Sequence, residues 1–387
     1  RVGVDAWAHD DICPQTGAAR REKTLKKRIT RVLVLGLGKV GHLVAELLHE
    51  SGFEVSGADL DVGTGFSFSS RKLDVNDQVE LGSALRECDA VISCLPYWFN
   101  VEIAKAAIAS GTHYFDLTED VATAGEIRAL SESSPAAVAP QCGLAPGFVA
   151  IAGSFLAAKL SKIRSLNLRV GALPQHPTGM LGYAFNWSPE GVVNEYLNDC
   201  EVIENGVRKW VSPMEWLEKI YIDGLQFEAF TTSGGIGTMC DSYEGLVENL
   251  DYKSIRYPGH AELMNFFFHE LLMREDRDQA GKILVNAKPP VSEDVVYVHV
   301  SVEGWIANRL SREEFVRTFI PAAIAGKERR AIGWTTAASV CAVVEMVDRG
   351  ELPGKGLILQ ENVSLERFLA TVNGRLYDGK PHGGTRR

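Results

Sequence analysis

The sequence predicts an α/β protein: a doubly wound parallel sheet with a second, α+β domain. Three observations carry this. Short apolar runs alternate with helically spaced segments from Arg31 to Ala139. A glycine-rich turn, Gly36-Leu-Gly-Lys-Val-Gly41, sits where the first run gives way to the first helix. The pattern changes after Gly147, where longer strands and fewer helices follow.

Val32-Leu-Val-Leu35 is a continuous apolar run, as expected of a strand buried on both faces. From Gly38 to His49 the apolar residues Val40, Val44, Leu47 and Leu48 fall on one helical side, and Gly52 ends the segment. Further strands are expected at Phe53–Ala58, Asp89–Cys94, His113–Asp116 and Ala136–Ala139. Helices are expected at Asn100–Ser110 and Ala124–Ser131. Beyond Gly147 the reading is a helix at Phe148–Leu160 and strands at Ser165–Val170, Tyr183–Trp187, Phe227–Thr231 and Val295–Glu303. Helices follow at Gly259–Met273 and Gly333–Val347.

The 387 residues carry a net charge of −10, which argues against a dedicated nucleic-acid binder. The first 31 residues are net +4, leaving −14 on the remainder, so the opening basic segment, Arg1 to Thr30, stands apart as an extension. Seven cysteines without a CxxC pair fit free thiols, and no His spacing suits zinc, so no metal is expected. The N-terminus lacks an apolar leader core, and the longest uncharged stretch, Ser133–Ala158, is broken by three prolines. The expectation is a cytoplasmic protein that engages no membrane.

The fingerprint has a separate physical demand at each glycine. Gly36 permits the tight turn, Gly38 lets a pyrophosphate approach the backbone, and Gly41 lets helix and strand pack closely. The N–H groups of Lys39, Val40 and Gly41 then face the phosphate charge. Asp59, closing the second strand, suits the hydroxyls of the adenosine ribose. Its charge favours NAD over NADP, with Asp61 a rival, while Arg71 and Lys72 keep NADP open. Asn76 and Asp77 serve either the adenine or a turn.

Ligands of such sheets gather beyond the C-terminal strand ends. Three loops fall there: Ser93–Asn100, with Leu95 and Pro96 toward the cofactor, Asp116–Asp120, and Cys142–Gly147 joining the domains. Tyr97 and Asp116 are the titratable candidates for catalysis, against half-buried aromatic and structural acid as the plainer roles. Cys94 and Cys142 read as packing residues. In the second domain, Thr232 of the Thr231–Gly237 stretch, Arg256 as a carboxylate clamp and His260 are substrate candidates, as is Gly147 in the joining loop.

Val32–Gly41, Lys72–Asp77, Ser93–Tyr97 and Gly143–Gly147 together resemble the saccharopine dehydrogenase family. Gly182–Ser188, Phe227–Gly235 and Ile255–His260 look closest to its lysine 6-dehydrogenase branch. The resemblance runs from Arg31 to Asp378. It implies a Rossmann-type domain split over residues 31–147 and 333–378, a substrate and oligomerisation domain inserted at 148–332, and a 379–387 tail. It further implies a homo-oligomer that oxidises a lysine-derived amino acid with NAD or NADP. In the similar branch the reaction is deamination of L-lysine at the ε-carbon. Tyr97 and Asp116 match the residues near the chemistry in such enzymes. Two alternatives remain: a saccharopine or carboxynorspermidine-type reductase using NADP, and a non-catalytic dinucleotide-binding redox sensor. Ile332-Gly-Trp-Thr-Thr336 departs from the family's usual Arg-Thr-Thr.

Overall fold

The computed structural model describes residues 29–378. Residues 1–28 of the basic extension and the 379–387 tail lie outside the described residues.

The chain opens with β1 (Arg31–Leu35), α1 (Lys39–Glu50), β2 (Glu54–Asp59), β3 (Ser69–Lys72), α2 (Gln78–Arg86) and β4 (Ala90–Ser93). Next come α3 (Asn100–Ser110), β5 (His113–Asp116), α4 (Val121–Ser131) and β6 (Ala137–Ala139). The second half holds α5 (Phe148–Ala157), β7 (Lys162–Pro174), α6 (Pro189–Leu197), β8 (Cys200–Glu204), β9 (Val207–Val211), β10 (Glu218–Ile222) and β11 (Leu225–Thr231). It continues through α7 (Met239–Tyr243), β12 (Val247–Arg256), α8 (His260–Asn265), α9 (Arg277–Ala287), β13 (Asp294–Ile306), β14 (Arg309–Phe319), β15 (Ala322–Ile324) and β16 (Lys327–Arg329). The chain closes with α10 (Ala331–Asp348), β17 (Gly356–Leu357) and α11 (Leu365–Leu369).

The first sheet has seven strands in the order β17-β6-β5-β4-β1-β2-β3, every pair parallel. This is the α/β architecture expected from the alternating pattern, with the strand order reversing beside β1. The second sheet is mixed, running β10-β11-β12-β7-β13-β14, with the β8–β9 hairpin attached to β12.

α10 is buried on nearly every side and packs against α1. It is long and apolar enough to cross a membrane by composition, but 78% of it is buried inside the protein, which marks it as a core helix. Asp294, at the start of β13 and fully buried, accepts the Ala331 and Ile332 N–H groups at 2.6 and 2.9 Å. That carboxylate satisfies two donors left open at the α10 N-terminus and ties the second sheet to it. One continuous core runs from β1 and α1 through α5 and α10 to β7 and β13.

Two sequence expectations differ from the structure. Tyr183–Trp187 is irregular rather than a strand. Tyr183, Ala184, Phe185 and Asn186 are all buried, and the Asn186 N–H turns back to the Ala184 carbonyl at 2.9 Å, so no ladder forms. The expected helix Gly259–Met273 stops at Asn265. It passes into a π turn at Phe266–Glu270, and Leu272 follows in the left-handed region. Across the three consecutive phenylalanines exposure falls from Phe266, through half-buried Phe267, to Phe268, which alone is fully buried and anchors the π turn.

Candidate functional site

The glycine turn meets each demand made of it. Gly36 has φ +89°, and its N–H donates to the Ala58 carbonyl at 2.9 Å. A Cβ on Gly41 would lie 1.8 Å from the Gly36 carbonyl oxygen, whereas one on Gly38 would meet nothing within 4 Å. The crossing of β1 and α1 therefore requires Gly41, and Gly38 opens onto space. No side chain caps α1, and the first helical bond is His42 N–H to the Gly38 carbonyl. The N–H groups of Lys39, Val40 and Gly41 thus point out of the helix end, where a pyrophosphate fits by charge and geometry.

The far end of this groove differs from expectation. Asp59 Oδ2 accepts the Leu37 N–H at 2.6 Å and Oδ1 the Asp61 N–H at 3.3 Å. One oxygen therefore holds the fingerprint loop, a structural role beside any contact with the ribose. Lys72 lies beside Asp59 in the β2–β3 register, while Arg71 is held by Glu87 at 2.8 Å. Asp77 takes the turn role of the two open to it: its Oδ1 caps α2 through the Val79 and Glu80 N–H groups, both at 3.0 Å.

A cavity of about 840 Å³ opens between the glycine turn and the second sheet. Gly38 to Gly41 form one wall, with Leu95, Pro96 and half-buried Tyr97 from the loop after β4. Tyr252, Ser254 and Arg256, alternate residues of β12, form the opposite wall. Asn186, Glu190 and Glu195 reach in around α6, and Arg330 and Gly333 around the start of α10.

Arg256 is 3% exposed. Its Nε donates to the Tyr196 hydroxyl at 2.6 Å and its Nη1 to the Ile255 carbonyl at 2.9 Å. Nη2 lies 3.8 Å from Glu195 Oε2, an ion-pair distance without a hydrogen bond. The Tyr183 and Tyr196 rings flank the guanidinium at 4.9 and 5.5 Å. These neighbours outweigh the cost of burial and keep Arg256 charged. An arginine so fixed, with one donor edge toward the cavity, suits a carboxylate.

Of the acids lining the cavity, Glu119 and Glu195 are the most perturbed, and neither is among the residues the sequence singles out for catalysis or binding. Burial pushes Glu119 up to about 7, and nearby Asp120, Asp116 and Glu190 add to it. Burial pushes Glu195 up to about 8, against the pull of Arg256. Tyr97 is also raised, first by burial and then by Asp120 and Glu190, with Asn194 as a hydrogen-bonding neighbour. Glu119 lies in the Asp116–Asp120 strand-end loop, three positions beyond Asp116. Glu195 carried no sequence signal of its own.

Four candidates lie behind the cavity wall rather than in it. Asp116 is fully buried and accepts the Tyr114 hydroxyl at 2.8 Å, the Gln141 N–H at 2.9 Å and the Thr118 N–H at 3.0 Å. These bonds join the ends of β5 and β6 and are those of a structural acid, and Asp116 is not part of the cavity lining. Thr232 bonds the Ser254 hydroxyl at 2.8 Å and supports it from behind. His260 Nδ1 lies 3.0 Å from the Leu181 carbonyl and Nε2 2.9 Å from the Tyr196 hydroxyl. Burial, with Arg256 nearby, pulls His260 down to about 3, so the ring is neutral. Its Nδ1–H must then donate to Leu181, and Nε2 accepts from Tyr196, which in turn accepts from Arg256. His260 positions the arginine and does not touch the cavity. Gly147 has φ +132°, and a Cβ there would lie 2.0 Å from the Gly143 oxygen. It shapes the joining loop.

The Thr231–Gly237 stretch packs against both walls. A Cβ on Gly234 would meet the Glu119 carbonyl at 2.5 Å, and one on Gly235 the Tyr252 ring at 2.2 Å. Among the described residues no group of three or more His, Cys, Asp or Glu side chains is placed to hold a metal ion.

A glycine cradle at a strand end, facing a cavity walled by a second sheet, defines a two-domain dinucleotide-binding protein. Residues 32–141 match the saccharopine dehydrogenase NADP binding domain, and residues 143–377 match the saccharopine dehydrogenase C-terminal domain. The chain belongs to the saccharopine dehydrogenase family. The cofactor its family model names is NADP, which the sequence had kept open beside NAD.

Among its relatives, the saccharopine dehydrogenase [NADP(+), L-glutamate-forming] of Schizosaccharomyces pombe is 28% identical over 189 residues, 45% of this chain and 42% of that one. The mitochondrial alpha-aminoadipic semialdehyde synthase of Bos taurus is 28% identical over 267 residues, 64% of this chain and 29% of that one. The matched region spans less than half the length of these curated relatives. The apo saccharopine dehydrogenase (L-Glu forming) of Saccharomyces cerevisiae superposes with a TM-score of 0.71 at 18% identity, covering 89% of this chain and 97% of that one. The two share a fold.

Proposed function

We propose that this protein is an NADP-dependent dehydrogenase that oxidises the terminal amine carbon of a lysine-type diamino acid, with L-lysine as the lead substrate. One observation carries the reading: a buried, charged Arg256, the half-buried acid Glu119 and the buried acid Glu195 line a single cavity beside the phosphate cradle. Arg256 takes the substrate carboxylate. The acids, with Glu190, favour a cationic substrate. The cofactor, held by Gly36 to Gly41, supplies the hydride acceptor.

Glu119, poised near neutrality, accepts the proton of the reacting ammonium, so that the amine lone pair can push out the hydride. Water then adds to the C=N bond of the substrate, and Glu119 relays its proton as ammonia leaves. In sum, ammonium substrate, NADP⁺ and water give aldehyde, ammonium ion, NADPH and one proton. Tyr97 lies beside Glu119 and closes the site against solvent.

A second reading is oxidation of saccharopine, the substrate in the names of the relatives. It is favoured by Arg330, whose buried Nη1 has no hydrogen-bond partner and which lines the same cavity, a second cation for a further carboxylate. Initial rates with L-lysine and with saccharopine, each with NADP⁺ and NAD⁺, separate the two. NADP binding without reduction by either amine would sink both.

A further inference from the structure

Two polar groups that open on this cavity are buried yet unsatisfied, and the buried Arg256 lies beside them. Glu195, 6% exposed, has an Oε2 with no hydrogen bond, and its nearest cation, Arg256 Nη2, stands 3.8 Å away. Asn186, 7% exposed, has its Oδ1 fixed by the Val291 N–H at 2.8 Å, which leaves Nδ2 as a buried donor without a partner. Arg256 spends Nε and Nη1 on the protein and keeps its Nη2 edge for the cavity. Buried polar groups are nearly always paired, because an unpaired one forfeits its hydration with no return. Two such groups in one cavity, facing a guanidinium from β12, mark where a ligand completes the bonding.

Their types are specific. With the guanidinium counted, two are donors, one of them cationic, and one is an acid. A carboxylate accepts from donors, and an ammonium donates to an acid. The two occur one carbon apart in an α-amino acid.

We infer that Arg256, Asn186 and Glu195 form a subsite for the α-amino-acid head group, with Arg256 and Asn186 on the carboxylate and Glu195 on the α-ammonium. The inference rests on the reading above that the substrate is an amino acid, and deepens it. It makes Glu195 and Asn186 specificity residues, and it leaves Glu119 and Tyr97 to the reacting amine. The orientation follows: the head group lies against β12 and α6, and the side-chain amine extends toward the glycine turn. Burial raises Glu195 against the pull of Arg256, so on pairing with the α-ammonium it gives its proton to solvent and binds as the carboxylate.

The test uses ligands that cannot react. L-Norleucine carries the head group and an apolar chain, hexanoate lacks the ammonium, and n-pentylamine lacks the carboxylate. Calorimetry on the full chain with NADP⁺ should show L-norleucine binding about tenfold or more tightly than either. Glu195→Gln should erase the preference over hexanoate and spare the preference over pentylamine. Asn186→Ala should narrow the preference over pentylamine. Thermal melts check that each variant folds, and Glu195→Asp should restore part of the ammonium preference. An unchanged norleucine-to-hexanoate ratio in a folded Glu195→Gln variant overturns the inference. Norleucine binding with the expected ratios, but no turnover of any lysine-type amine, supports the subsite and refutes the proposed reaction instead.

Discussion

Alanine at Gly41 and at Gly38 should have opposite consequences, although the two glycines are three residues apart in one motif. At Gly41 the new Cβ would fall 1.8 Å from the Gly36 carbonyl oxygen. An ordinary carbon–oxygen contact is about 3.3 Å, so α1 must move by roughly 1.5 Å relative to β1. That movement loosens Leu43, Val44, Leu47 and Leu48, each 2% exposed or less. Overpacking of this kind costs about 1–3 kcal/mol or more, and here the obstacle is backbone, which cannot rotate away. At Gly38 the backbone has φ −66° and ψ −165°, open to any residue, and the Cβ meets nothing of the protein within 4 Å. Gly38→Ala should therefore melt at or slightly above the wild-type temperature, gaining about 0.5 kcal/mol through the unfolded chain. Its methyl group stands where the pyrophosphate must approach, so NADPH affinity should fall about tenfold or more. Thermal melts with and without NADP⁺, together with a fluorescence titration of NADPH, read both effects. Wild type should gain melting temperature with cofactor, and Gly38→Ala should not. A Gly38→Ala variant that binds NADPH like wild type, or a Gly41→Ala variant that melts like wild type, would refute the reasoning.

Three further substitutions test the assignments around the cavity. If Glu119, raised to about 7 by burial, is the base, kcat/KM should rise with pH through about 7 and level off above it. Glu119→Gln should lower kcat at least about a hundredfold and flatten that limb; a retained limb assigns it to another group. Asp116→Asn keeps two backbone bonds but loses the acceptor for the Tyr114 hydroxyl, so it should lower stability by about 1–3 kcal/mol in a urea melt while kcat stays within a few-fold of wild type. A collapse of kcat at unchanged stability would return Asp116 to the chemistry. Tyr196→Phe removes the hydroxyl between Arg256 and His260, and should raise KM about tenfold with little change in kcat; an unchanged KM would show that Arg256 needs no such support.

What the sequence revealed of this site was whatever is fixed within a few residues of itself. The glycine turn was legible because the demands on Gly36, Gly38 and Gly41 are set by one strand and one helix adjacent in the chain. Tyr97 was legible because parallel topology sends every strand-end loop to the same edge. Asp116 and Glu119 stand at the same edge, yet they part company over three positions. Asp116 is still in the ladder, opposite Ser93, and turns inward to the Gln141 N–H, whereas Glu119 is past it and free to face the cavity. Only the register of β4, β5 and β6 decides between them, and no local pattern encodes it. Arg256 could be sorted from His260 by alternation, since Tyr252, Ser254 and Arg256 share a face of β12 and His260 lies beyond its end. Glu195 and Asn186 could not be found this way. Asn186 sits in a segment whose apolar residues imitate a strand, and Glu195 gains its meaning from an arginine 61 positions away. The fold therefore reads from periodicity, and the cofactor cradle from a motif. The substrate end is made of buried charges whose partners are brought together only by the packing of α6 against β12, and their unpaired atoms, rather than their spacing, are what point to a ligand.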